Sequence, residues 1–193
     1  MLPLTDRTDG SEPHRDGGRQ TTEETTAPPS PQTRPAVAGK IEAEFRATLL
    51  TLGMHSALGL INARTRYRFT GVYRADPPML RNEYLFDREN PSLSLGGDVN
   101  PLDHTYCSIV AATQQPFAVA NARHDRRLTL HPARDSVVAY VGVPIRIPNG
   151  CIFGTLCHFD LRPRILPLDE VATLESISRI VAQWIDAAPT RRV

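Results

Sequence analysis

The sequence predicts an α+β domain built on a central antiparallel sheet of five or six strands. Three observations lead there. The first is a hairpin in the stretch from Val137 to Arg164. Val137–Ile147 and Cys151–Asp160 are two apolar, β-branched runs separated by Pro148-Asn149-Gly150. Asn-Gly between apolar runs is a strong hairpin signal, since a type I′ turn needs positive φ at both central positions. The second is an alternating pair of segments, Thr65–Ala75 and Met79–Glu89, joined by Asp76-Pro77-Pro78. The third is a pair of apolar stripes at helical spacing near the two ends of the chain.

The hairpin strands are apolar on both parities, so both faces are expected to be covered and the hairpin to lie centrally in the sheet. Pro144 has no N–H to give and therefore needs an edge, a bulge or a gap in the ladder. In the first pair, Tyr67, Phe69 and Tyr73 alternate with Arg68, Thr70 and Arg74. In its partner, Leu80, Tyr84 and Phe86 share one parity, and Met79, Leu85 and Asp87 the other.

The first helix is expected over Lys40–Arg64, with Ile41, Phe45, Leu49, Leu52, Leu58 and Ile61 as its stripe. Gly53 and Gly59 either permit close packing there or mark a break. Asn100-Pro101-Leu102-Asp103 reads as a helix start, with a cap, a proline at the first position and an acid in the first turn. That helix is expected to reach Gln114, ended by Pro116, with Phe117–Ala120 as a short strand after it. Asn121–Ser136 reads as a polar loop with a helical turn. Leu168–Ala187 is the last helix, with Leu174, Ile177, Val181 and Trp184 in a 3-4 spacing.

Composition sets the outer bounds. A chain of 193 residues supports one domain with residues to spare. Residues 1–39 are rich in Pro, Gly, Ser, Thr and mixed charge and are expected to be a disordered tail. The domain is then 40–188, and 189–193 a flexible end. A net charge of +1 gives no electrostatic case for nucleic acid. No apolar run approaches the ~18 residues that would span a bilayer, and the polar N-terminus has no secretory signal. The expected location is cytoplasmic. Cys107, Cys151 and Cys157 are an odd number, against a disulfide framework.

The hairpin also carries a resemblance. Tyr140-Val141-Gly142-Val143-Pro144, Asn149-Gly150, Phe153-Gly154-Thr155-Leu156-Cys157, Asp160 and Arg162-Pro163-Arg164 resemble the core hairpin of bacterial GAF domains. Thr105-Tyr106-Cys107 and Pro116-Phe117-Ala118-Val119 fit the helix and strand before it, so the resemblance spans roughly Ile41–Ala187. It implies terminal helices on one face of the sheet and a short helix and loops covering a pocket on the other. It further implies a sensory or regulatory domain in signal transduction that binds a small molecule without catalysis of its own. Output would pass to a separate signalling protein, and pairing into a homodimer would use the terminal helices.

The candidate ligand-binding residues are Tyr106, Cys107, Arg123, Asp125, Tyr140 and His158. Cys107 near a helix N-terminus is placed to have a lowered thiol pKa, with His104 one turn before it. Otherwise it is a small buried packing residue. The face of the last strand carrying Phe153, Cys157 and Phe159 is expected to meet the helices, which turns His158 toward the pocket. Arg123, Asp125, Arg126, Arg127 and Arg134 cluster in the polar loop; arginines near a pocket hold anions, but a charged loop is also a solvated face. No metal site is expected, because only His104-x-x-Cys107 has local ligand spacing and no second pair follows. No cofactor is assigned. The alternatives are a thiol-based redox sensor or methionine sulfoxide reductase-like enzyme centred on Cys107, and a dimerising scaffold.

Overall fold

The computed structural model describes residues 33–93 and 96–187, with side chains from residue 39 onward. The expected tail therefore lies outside the described residues as far as residue 32, as does the end from 188. Helix α1 spans Thr33–Asn62 and bends at Gly53, whose φ of 82° breaks the helical run. Ile41, Phe45, Leu49, Leu58 and Ile61 are buried, whereas Leu52, expected in the same stripe, is exposed just before that break. After α1 come β1 (Phe69–Asp76) and β2 (Met79–Asp87). Then follow a short β3 (Val99–Pro101), helix α2 (Cys107–Thr113) and β4 (Phe117–Val119). Strands β5 (Ala139–Arg146) and β6 (Ile152–Asp160) form the hairpin, and α3 (Glu170–Asp186) closes the fold.

The six strands make one antiparallel sheet in the order β3-β2-β1-β6-β5-β4, so the hairpin is interior as its apolar strands require. Pro144 lies past the end of β4, which pairs only with Tyr140–Gly142 of β5. Its missing N–H thus falls in a gap of the ladder. The hairpin turn differs from the expected type I′. Gly150 has φ 85°, but Asn149 does not take positive φ. The Gly150 amide donates to the Ile147 carbonyl, and the Ile147 amide to Cys151, which makes a type I turn with proline at its second position and a left-handed glycine after it.

Two cores lie on the two faces. One joins α1 and α3 to the sheet through Phe45, Leu58, Val72, Val141, Leu156 and Ile177. The other lies under α2 and the 121–136 loop. Two β-bulges decide which residue goes where. One between Val72 and Tyr73 leaves Glu83 of β2 unpaired, so Leu80 faces the cover core while Tyr84 and Phe86 face the helices. The other leaves Phe153 of β6 without a partner on β5. Phe153 consequently joins the helix side, although Phe159, at the same parity, faces the cover.

The expected helix from Asn100 to Gln114 is three pieces. Asn100 and Pro101 belong to β3, because their backbone pairs with Met79 and Leu80. Leu102–His104 is a 3-10 turn, Thr105 is extended, and α2 begins only at Cys107.

Beside the sheet, Asp87 ends β2 in a bidentate pair with Arg68, with Nε–Oδ1 and Nη2–Oδ2 both 2.8 Å. Hydrogen bonds from Arg68 first, and from Asn90 and the Glu89 amide, hold its carboxyl down at about 2. A folded pKa below the unfolded value of ~3.9 means stability that is complete above that pH and lost as pH falls toward about 2. Acid unfolding followed by circular dichroism should steepen in that window, and Asp87→Asn should remove that part of the pH dependence while lowering the melting temperature at pH 7.

Candidate functional site

Between the sheet and its cover lies a cavity of about 300 Å³. Its floor is the cover face of β1, β5 and β6, bearing Tyr73, Tyr140, Cys157 and Phe159. Its walls are Leu80 and Asn100 on one side and the segment from His104 to Cys107 with Ala133, Ser136 and Val137 on the other. Among the described residues, no Arg, Lys, Asp or Glu side chain lines it.

The floor is shaped by a symmetric device. Cys157 of β6 pairs with Gly71 of β1 on one flank and Gly142 of β5 on the other. Tyr73 folds back over Gly71, and Tyr140 over Gly142. A Cβ at Gly71 would stand 2.6 Å from the Tyr73 ring, and one at Gly142 only 2.1 Å from the Tyr140 hydroxyl oxygen. The missing side chains let both rings lie along the sheet beside Cys157. Burial pushes both phenols well above their ordinary pKa, and burial pushes Tyr106 up to about 12. All three are neutral hydrogen-bond donors at physiological pH.

Cys107 opens α2 and is buried against this floor. The Thr155 hydroxyl donates to its sulfur at 3.0 Å, and the Tyr140 hydroxyl lies 3.5 Å from it. Hydrogen bonding from the Cys157 thiol, then from Thr155, Tyr140 and Thr105, outweighs desolvation and brings the Cys107 thiol below the ordinary range. Cys157 moves the opposite way, raised by burial and by its contact with Cys107. Of the two thiols, Cys107 is thus the one whose deprotonation its surroundings favour. Cys151 is exposed at the start of β6, and all three thiols are free.

The expected site residues separate into two groups. Tyr106, Cys107 and Tyr140 line the cavity. Arg123, Asp125 and His158 do not. Arg123 donates to the Asp135 carbonyl at 3.1 Å, and the Asp125 carboxylate accepts from Arg127. Arg127 also stacks on Phe117 and donates to the Ala118 carbonyl. These charges hold the loop's successive 3-10 turns on the sheet edge. His158 lies on the helix face, correcting the expected orientation: the bulge at Phe153 separates that ring from Phe159, and the phenylalanines were the basis for assigning the faces. Its Nδ1 is 2.6 Å from the Thr70 hydroxyl and its Nε2 is 3.1 Å from Glu170 Oε1. His104 lines the cavity from the 3-10 turn that precedes α2. The residues that sequence reasoning missed, Tyr73, Thr155 and Cys157, carry a readable signal in Gly71-x-Tyr73 and Tyr140-x-Gly142, where glycine and tyrosine share a strand face.

This architecture has known relatives. The sequence model of the GAF domain matches residues 46–185. The chain is a member of the GAF domain family. No curated protein matches. Among solved structures, the GAF domain of an Acinetobacter phosphoenolpyruvate-protein phosphotransferase is similar at 11% identity and TM-score 0.63, over 80% of this chain and 96% of that one. A free methionine-R-sulfoxide reductase from Neisseria meningitidis, solved with its substrate, is similar at 12% identity and TM-score 0.63, over 81% and 93%. A type II free methionine-R-sulfoxide reductase from Thermoplasma acidophilum follows at 14% identity and TM-score 0.52, over 76% and 96%. At these identities the likeness is one of fold, and it includes both regulatory domains and enzymes. No described helix of this GAF domain is long and apolar enough to cross a membrane.

With Cys151 replaced by serine, alkylation of Cys107 by iodoacetamide should show a pH midpoint below the ~8.5 of an ordinary thiol. Tyr140→Phe removes a donor to the thiolate, so the midpoint should rise. Peptide mass mapping across pH 5–10 (roughly, the range over which thiols titrate) checks both.

Proposed function

We propose that this GAF domain is a sensory module that binds a small, largely apolar and uncharged molecule between sheet and cover, without catalysis of its own. The observation that carries the reading is the cavity itself: about 300 Å³, walled by aromatic rings, with neutral donors and, among the described residues, no Arg, Lys, Asp or Glu side chain. A charged ligand would be desolvated there without a counter-charge. Tyr106, Cys107 and Tyr140 touch the ligand. Arg123 and Asp125 act at one remove by keeping the cover loop in place, and His158 ties the floor to the helices. Binding changes how the cover sits on the sheet, and a separate cytoplasmic signalling protein reads the result. Pairing of two copies through the terminal helices accompanies this reading; the exposed Leu50 and Leu52 on α1 support it.

Native mass spectrometry of the protein purified from its own cells tests it. The expected spectrum shows added mass that disappears on denaturation. Leu80→Trp, which fills the cavity, should remove that mass and weaken binding of the released compound by tenfold or more (roughly one lost good contact set). Retention of the compound by the filled variant would overturn the assignment.

A second reading is favoured by the hydrogen bonds that converge on Cys107 and by the reductases among the fold's relatives. In it, Cys107 acts on a sulfoxide or senses oxidants. Cys107→Ser should then abolish reduction of free methionine sulfoxide by the protein with a dithiol reductant; equal rates in variant and wild type would end this reading.

A further inference from the structure

We infer that Cys107 and Cys157 are a paired site for hydroperoxides, with Cys107 the attacking sulfur and Cys157 the sulfur that resolves it into an intramolecular disulfide. The inference rests on the second reading above, to which it adds the oxidant class and the partner sulfur; it does not require a resident ligand, so it stands or falls separately from the binding reading.

The geometry supplies each element of that chemistry. Both sulfurs reach the same cavity, one from the first turn of α2 and the other from the centre of β6. Gly71 and Gly142 flank Cys157 on the two neighbouring strands, and the Tyr73 and Tyr140 rings that lie over them enclose its side chain on both sides. Thr155, two residues along the same strand face, donates to the Cys107 sulfur at 3.0 Å, and the Tyr140 hydroxyl sits 3.5 Å from it. The thiolate is thereby stabilised by hydroxyl donors rather than by a cation. The same hydroxyl groups can donate to the leaving oxygen of a peroxide. A cavity of this size and polarity admits hydrogen peroxide or a small organic hydroperoxide. Cys151 is exposed at the far end of the hairpin and takes no part.

The step balances. The Cys107 thiolate attacks the distal peroxide oxygen. An S–O bond forms, the O–O bond breaks, and the alkoxide or hydroxide that leaves takes up one proton. Cys107 is now a sulfenic acid, and the peroxide has taken two electrons. The Cys157 sulfur, losing its proton, then attacks Cys107; the S–S bond forms, the S–O bond breaks, and water leaves. A dithiol reductant restores both thiols by exchange. Closing that bond draws the start of α2 onto β6 and consumes the donors that a bound ligand would use, so the oxidised cavity has no thiol to offer.

The full-length chain is treated with hydrogen peroxide, quenched, denatured and alkylated, and the intact mass and peptide map are read. The expected result is loss of two alkylatable thiols of the three, a linked Cys107–Cys157 peptide, retention of Cys151, and full reversal by dithiothreitol. Cys157→Ser should leave Cys107 as a sulfenic acid that dimedone traps. Thr155→Val should slow the first step roughly tenfold, as expected for loss of one charge-assisted hydrogen bond. Three intact thiols after exposure to peroxide, or a disulfide involving Cys151 or a second chain, would overturn the inference. These outcomes are read on the wild-type protein, so a variant that fails to fold does not remove the test.

Discussion

A chain of buried hydrogen bonds runs through the helix face of the sheet and holds its layers in register. Arg88 donates to the Asn62 side chain at 2.9 Å, and Asn62 donates to the Thr70 hydroxyl at 2.8 Å. Thr70 meets His158, and His158 meets Glu170 at the first turn of α3. The end of α1, the central strands β1 and β6, and the start of α3 are thus joined by one polar thread through an apolar core. Buried polar groups are costly unless each is satisfied. Sliding α3 or α1 by a residue would strand several at once. Asp160, at the end of β6, extends the arrangement by accepting from the Arg68 amide, the Arg162 amide and Arg164 Nε. The helix-side face is therefore the rigid one, and the cover side, held by 3-10 turns and exposed arginines, is the side that can adjust.

Much of the fold was legible because its signals were strong. The interior hairpin, the alternating β1–β2 pair and α3 follow from periodicity and turn residues. What escaped was the assignment of faces, and the cause is physical. A strand's period of two holds only until a bulge inserts a residue. Glu83 and Phe153 each do so, and no local composition marks them. The orientation of His158 was lost with Phe153. Likewise Asn100-Pro101 has good helix-start chemistry, but pairing with the β2 backbone overrides it. Of the residues at the cavity, Tyr106, Cys107 and Tyr140 were already candidates in the sequence; placing Tyr73, Thr155 and Cys157 there required knowing which face was the floor. Arg123 and Asp125 were misleading because a charge in a cover loop serves its own loop as readily as a ligand.

The two faces of β6 divide the chemistry between them. On the helix side, His158 is held between Thr70 and Glu170, and Asp160 accepts from three donors. On the cover side, Thr155 and Cys157 stand among aromatic rings beside open volume. The solved structures that share this fold include a GAF domain of a phosphotransferase and free methionine-R-sulfoxide reductases. In this GAF domain one cavity is lined by aromatic rings and by two free thiols, Cys107 and Cys157.

The shortness of β4 leaves β5 paired on its β6 side alone from Val143 onward. An unpaired strand edge invites another chain to add to the sheet. Here Pro144 offers no N–H to such a visitor, and Arg146 turns outward to bind the side chain and carbonyl of Gln114 at 3.0 and 2.8 Å. The proline and the clasped arginine together make this edge a poor template. This stretch of β5 is thereby guarded against edge-to-edge aggregation.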